Sequence, residues 1–282
     1  LCVNIVQLLK MYQKSDIQIL IATMNRTNFD FLKAMFVFSD FSTLNLLVIN
    51  QTTSDRLLQS NFENVEVINS FDKGLSKSRN LALQKASKDL IVLTDDDVGF
   101  KSGFEDLVLQ AFNSNLNHDG FRFRYENENG NLPKKYPKRF LSKLSNFEIL
   151  NASSVELVFK KDSIKSKGVL CDENFGLGST FYMGEEAIFV SDAIKKGLNI
   201  GLVPKTILIH SDLSTGEKTS SSELYFVQSA VFYRIFGKMY LFWVALKLFF
   251  DLKQSKIKIT QVYNLFSQAL KGKKAYVNHT QL

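Results

Sequence analysis

Short apolar runs, each ending in a cluster of polar residues, recur along the first part of the chain. Residues 17–22 close on Thr23-Met24-Asn25-Arg26, and residues 45–49 close on Asn50-Gln51-Thr52-Thr53-Ser54-Asp55. Residues 65–68 form a third run and 90–93 a fourth, which delivers Asp95-Asp96-Asp97. The uninterrupted run 90–93 predicts a buried strand of a mainly parallel sheet, and the other three runs read as strands beside it. Between them the pattern stretches to a helical period. One helix is predicted over 30–38, and another running to about Ala86 with Ser76 as its N-cap. Strands alternating with helices define an α/β domain with right-handed crossovers and helices on both faces of the sheet. In such sheets ligands bind beyond the carboxyl ends of the strands, where these polar clusters fall.

Further on, Phe121, Phe123 and Tyr125 alternate with Arg122 and Arg124, which predicts a half-buried strand. Residues 155–159 predict another strand, and 187–196 a helix closed by Gly197. The basic stretch 134–143 reads as a solvated loop, with an acceptor-binding or phosphate-facing loop as the alternative. Residues 213–222, rich in Ser, Thr, Gly and Lys, are expected to form a mobile loop that closes over a ligand. Residues 224–252 are dense in aromatic and aliphatic side chains. Their longest uncharged stretch, 224–233, falls far short of the roughly 20 apolar residues that span a bilayer. Two helices are expected there, broken at Gly237, packed on the body or lying in a membrane interface. The organisation predicted is a domain over 1–212, with halves at about 17–100 and 101–212, followed by a helical C-terminal region over 213–282.

Composition sharpens this picture in two places. The chain carries 35 Lys or Arg and 28 Asp or Glu, a net charge of +7. Residues 231–282 hold nine of the basic residues and a single acid, Asp251, so the excess belongs to the tail and the rest is close to neutral. Basic charge mixed with Phe, Leu, Tyr and Trp favours an anionic membrane surface over a nucleic-acid partner. Two widely spaced cysteines, Cys2 and Cys171, give neither a disulfide framework nor a metal-ligand spacing, and imply a reducing compartment. Residues 1–9 are apolar but lack a basic start and a small-residue cleavage site, so no secretory leader is expected; Met11 is a candidate start.

Candidate chemistry gathers at the acidic triplet. On an extended backbone Asp95 and Asp97 share a face and Asp96 takes the other. Two hard oxygen ligands on one side suit Mg²⁺ or Mn²⁺, with remaining positions for water and phosphate. The segment Lys73-Gly74-Leu75-Ser76-Lys77-Ser78-Arg79-Asn80, then a helix, a strand and Asp95-Asp96-Asp97, resembles the nucleotide-sugar half of a family 2 glycosyltransferase of the GT-A fold. Asp172-Glu173-Asn174-Phe175-Gly176-Leu177-Gly178 followed by Gly184-Glu185-Glu186 is similar to that family's acceptor-side segment. The resemblance covers roughly residues 17–210. It departs at Glu186, where the family usually has Asp, and at Asn50, where many relatives carry an Asp that reads the nucleobase.

The resemblance implies an inverting transfer of sugar from a nucleoside diphosphate, a uridine diphosphate sugar being the expected donor, to a hydroxyl of a glycan or lipid-linked acceptor in surface polysaccharide synthesis. Asp97, with Asp95 and His210, would hold the cation. Glu186, with Glu185 beside it, would be the base. Thr23, Asn25, Arg26, Asn50, Lys77, Arg79, Asn80, Asp95 and Asp96 would bind the nucleotide sugar. A cytoplasmic protein, peripheral on the inner face of the membrane, is the implied setting. Three other readings compete. A sugar-phosphate nucleotidyltransferase would carry a Gly-rich loop after the first strand, whereas residues 23–28 contain no glycine. A phospho-acceptor signalling domain leaves Gly184-Glu185-Glu186 unused. A catalytically inactive nucleotide-sugar-binding domain would share every feature.

Overall fold

The computed structural model describes residues 11–210 and 220–280. The expected loop over 213–222 therefore lies largely outside the described residues, as does the apolar segment 1–9. In chain order the elements are β1 (Ile17–Met24), α1 (Asp30–Met35), β2 (Leu46–Gln51), β3 (Val65–Ser70), α2 (Leu75–Lys85), β4 (Leu90–Asp95), β5 (Val98–Phe100) and α3 (Phe104–Ser114). There follow β6 (Gly120–Glu126), α4 (Asn146–Leu150), β7 (Leu157–Lys160), α5 (Lys161–Ser166), α6 (Glu185–Lys195), β8 (Ile200–His210), α7 (Ser221–Phe236), α8 (Tyr240–Lys253) and α9 (Val262–Thr280).

Eight strands form one mixed sheet in the order β3-β2-β1-β4-β7-β6-β8-β5. The first four are parallel. β7 runs antiparallel to both β4 and β6, β8 is parallel to β6, and the short β5 closes the far edge antiparallel to β8. In the parallel half β1, β2 and β4 are buried on both faces, whereas the edge strand β3 is buried only at Val65. Ile17, Ile19 and Ile21 of β1 face one core with Leu32, Phe36, Phe104 and Phe112; Leu20 faces the other with Ala82, Leu83 and Phe189. Register aligns the polar strand ends: Thr23 lies opposite Asn50 and Ala22 opposite Asp95. On the other side of the sheet His210 pairs with Val98, the residue after Asp97. Two distant pieces of sequence thus reach one end of the sheet.

Several local expectations need correction. The helix predicted over 30–38 stops at Met35, where Phe36 leaves helical geometry. Gly74, at φ 124°, starts α2, and the Ser76 hydroxyl donates to the Phe175 carbonyl at 2.6 Å instead of capping the helix. The β6 strand is not half-buried in the simple alternating sense, because Arg122 is as buried as its phenylalanine neighbours. Its guanidinium is spent on Glu156 at 2.6 Å and on the carbonyls of Glu148 and Asn151. The basic stretch 134–143 is only partly solvated: Lys134 and Tyr136 turn inward onto the same Glu156.

Beyond β8 the C-terminal helices pack on the sheet domain. Val227, Ala230, Val231 and Ile235 of α7 share a core with Phe175, Phe181, Ala187 and Ile188. Arg234 ties α7 to the body through Asp172 at 2.8 Å and Asp192 at 2.6 Å. α8 and α9 close a second core over Tyr225, Phe232, Trp243, Leu248 and Leu265. Among the described residues no helix is long and apolar enough to cross a membrane.

Candidate active site

A cleft of about 850 Å³ opens at the carboxyl ends of β1, β2 and β4, roofed on one side by residues 177–186 and reaching His210. Its floor is organised by Arg79, projected from the first turns of α2 and only 3% exposed. One terminal nitrogen donates to Glu185 Oε1 at 2.9 Å and to Glu186 Oε1 at 3.3 Å. The other donates to both oxygens of Asp95, at 2.9 and 3.2 Å. One guanidinium therefore joins the acidic triplet of the first half to the Gly-Glu-Glu segment of the second.

Three carboxylates around one buried cation leave an excess of negative charge where solvation is poor, and part of it is relieved by holding a proton. Burial, and then the charge of Glu186, push the Glu185 carboxyl up to about 8 despite its ion pair. Glu185 is 4% exposed, whereas Glu186 keeps a fifth of its side chain open to the cleft. Arg79 is held firmly cationic by the same neighbours. Geometry at the Gly-Glu-Glu segment is fixed by Gly184, whose φ of 93° and contact with Val231 leave no room for a side chain.

The triplet does not split as simple strand alternation predicts, because β4 ends at Asp95 and the next two residues bend away. Asp95 is engaged by Arg79 and accepts from Ser154 Oγ at 3.1 Å. Asp96 accepts from the Thr23 hydroxyl and from Arg26, at 2.8 and 2.7 Å. Asp97, 60% exposed, faces His210 Nε2 at 3.4 Å, and this contact holds its carboxyl below the ordinary range. Among the described residues no group of three metal-binding side chains is assembled. The Asp97–His210 pair supplies one oxygen and one nitrogen donor facing the cleft, which fits Mg²⁺ or Mn²⁺ carrying its other ligands from diphosphate and water. Asp95 does not fit that role as placed, since both its oxygens lie on Arg79.

Several residues expected to touch the nucleotide sugar are occupied elsewhere. Asn50 is fully buried, accepting from Arg26 N and donating to Arg26 O and Asn69 Oδ1 at 2.9–3.0 Å. It shapes the turn after β1 and does not line the cleft. Asn80 staples α2 to the loop at Cys171, donating to its carbonyl at 3.0 Å and accepting from its amide at 2.7 Å. Arg26 is spent on Asp96, and Lys77 lies exposed outside the cleft lining. Arg79, expected on the nucleotide sugar, has both terminal nitrogens on carboxylates. Thr23, Asn25, Arg79, Asp95, Asp96, Asp97, Glu185, Glu186 and His210 do line the cleft.

Other lining residues had little signal in the sequence. Gln51 holds the Gly74 turn, accepting from its amide at 3.0 Å and donating to its carbonyl at 3.2 Å. Phe71, Lys73 and Leu177 line the cleft as well, as do Tyr125, Ser153 and Tyr182. Glycines at 74 and 178 were the available clue: a β-carbon on Gly178 would touch the Gly74 backbone at 3.4 Å, where the two segments approach closely.

No protein-family model matches the chain, and no curated protein is significantly similar to it in sequence. Solved structures do resemble it. Residues 1–349 of TarS from S. aureus in complex with UDP-GlcNAc match with a TM-score of 0.60 at 14% identity, covering 89% of this chain and 79% of that one. TarS 1–349 alone gives 0.59 at 14%, covering 91% and 80%. The mannosyltransferase PcManGT from Pyrobaculum calidifontis, in complex with GDP-Man and Mn²⁺, gives 0.53 at 11%, covering 91% and 86%. At these identities the likeness establishes the fold, which is the GT-A fold of glycosyltransferases.

Proposed function

We propose that this chain is an inverting glycosyltransferase that moves a sugar from a nucleoside diphosphate to a hydroxyl of a glycan or lipid-linked acceptor. The observation that carries the reading is the single cleft in which Arg79 joins Asp95 to Glu185 and Glu186. An inverting displacement needs charge stabilisation on one side of the anomeric carbon and a base on the other. The same likeness to structures holding UDP-GlcNAc and GDP-Man supports a nucleotide-sugar donor.

The cleft is acid-rich: Asp72, Asp95, Asp96, Asp97, Glu185 and Glu186 line it against Lys73 and Arg79. A diphosphate entering such a site would meet net repulsion, so the charge pattern itself calls for a cation. Asp97 and His210 would hold it, and when bound it would neutralise charge on the leaving diphosphate. The work of the chain's own residues is then separable. Asp96, pinned by Thr23 and Arg26, fixes the turn that presents Asp97. Arg79 keeps Glu186 beside a positive charge and orients it from the buried side. Glu186, partly open to the cleft, accepts the proton of the incoming hydroxyl. Glu185, buried and inclined to hold its proton, is a positioning residue for that base.

Glu186→Gln tests this directly. It keeps the shape and removes the base, so release of nucleoside diphosphate from the preferred donor should fall by about a thousandfold, within the range for loss of a general base. Donor binding, read as a rise in melting temperature, should persist. Turnover at the wild-type rate in Glu186→Gln would remove Glu186 as the base, and no turnover of any nucleotide sugar by the wild type would favour the inactive binding domain.

A further inference from the structure

Two helices of the C-terminal region are apolar on faces that the rest of the chain does not cover. In α8, Tyr240, Trp243, Val244 and Leu248 point into the core, yet Leu241, Phe242 and Phe249 are 42%, 55% and 58% exposed. At 100° per residue those three lie within a single arc of the helix. In the turn before α9 and along it, Ile259, Tyr263, Phe266 and Leu270 recur at helical spacing and are 73%, 86%, 36% and 42% exposed. The opposite side of α9 is already satisfied by Leu265, Ala269 and Gly272 against α7. A helix apolar on both sides is normally buried on both, so each of these carries an unpartnered face.

Charge says what would cover it. Lys253, Lys256, Lys258, Lys271 and Lys274 are exposed around these stripes. The one acid of residues 231–282, Asp251, is buried and already neutralised by Lys247 at 2.5 Å and the Tyr225 hydroxyl at 2.8 Å. The exposed side chains of this segment therefore offer aromatic and aliphatic groups ringed by cations with no exposed acid among them. That combination suits the boundary between anionic headgroups and acyl chains, and no described helix can span a membrane.

We propose that the outward faces of α8 and α9 seat this protein on an anionic phospholipid surface. Phe242, Phe249, Tyr263 and Phe266 enter the interface while the lysines pair with headgroups. The far end of α9 abuts the wall of the cleft: Tyr276 packs on Phe175 and Phe181, and His279 reaches Thr180 at 3.4 Å, next to the cleft residues Gly178 and Tyr182. Leu270 lies six residues before Tyr276, about 9 Å along the helix. Resting on the glycosyltransferase reading of the cleft, this arrangement selects acceptors anchored in the same surface; the docking itself does not depend on that reading.

Co-sedimentation of the full chain with phosphatidylcholine vesicles, with and without one third phosphatidylglycerol, tests the docking separately from turnover. Partitioning should be strong on the anionic vesicles, weak on neutral ones and steeply reduced by salt. Replacing three lysines, Lys256→Gln, Lys258→Gln and Lys271→Gln, should lower the partition coefficient about a hundredfold, from roughly fivefold per lysine. Phe249→Ser with Tyr263→Ser should lower it at least tenfold at low salt, while an unchanged melting temperature shows that these exposed changes leave the fold intact. Wild-type partitioning no greater on anionic than on neutral vesicles would overturn the proposal. So would a self-association, seen by sedimentation equilibrium, that Phe249→Ser and Tyr263→Ser abolish, since the faces would then belong to a second copy of the chain.

Discussion

Arg79 is the residue on which the two halves of the cleft depend, and its replacement should be costly in a specific way. Removing one partner of a buried charge set typically costs about 3–5 kcal/mol, because the remaining charges are left uncompensated. Arg79→Met should show that loss in denaturant unfolding near neutral pH, and recover part of it near pH 5, well inside the range where the raised Glu185 carboxyl holds its proton. Equal destabilisation at both values would mean that the carboxylates were not the source of the cost. Glu185 makes a second prediction. Its folded-state carboxyl is raised from 4.5 to about 8, so between those values the native protein binds more protons than the unfolded chain. Stability from this group is therefore present at the acid end of that window and is lost as pH rises through it. The wild-type unfolding midpoint should decline between about pH 5 and pH 8, and Glu185→Gln should flatten that decline.

At the scale of elements, helix packing is set by close approaches that only glycine allows. Gly272 of α9 lies against the Phe226 carbonyl of α7, and a β-carbon there would overlap it. Gly272→Ala, which in an isolated helix would be mildly favourable, should instead destabilise by about 1–3 kcal/mol as overpacking does, measured as a drop in unfolding midpoint. The elements were largely readable from the chain. Continuous apolar runs gave β1, β2 and β4 because both their faces are covered. The acids of the cleft were readable because they sit at the ends of those runs. What was not readable were the partners of polar side chains. Asn50, Asn80 and Arg26 have the residue types of a binding site, but their hydrogen bonds go to backbone, amide and carboxylate groups up to 93 residues away. Arg122 looked like a solvent-facing position because nothing local announces Glu156. Strand alternation does not carry through the triplet because β4 ends at Asp95, and Asp97 faces His210 while Asp95 is held by Arg79.

At the scale of the molecule, the mixed sheet brings residues 95–97, 184–186 and 210 to one cleft, and the register of β5 with β8 places His210 beside Asp97. On the proposed function this cleft takes a nucleoside diphosphate through a cation held at Asp97 and His210. The most direct measurement is the melting temperature with UDP and with GDP, each with and without Mn²⁺, for the wild type and for Asp97→Asn. Ligand at a hundredfold its Kd stabilises the folded state by about 2.7 kcal/mol, roughly 5 °C or more for a chain of this size. The prediction is such a rise for at least one nucleotide in the presence of Mn²⁺, absent without the metal and absent in Asp97→Asn. A rise with neither nucleotide, or the same rise with and without Mn²⁺, would contradict it.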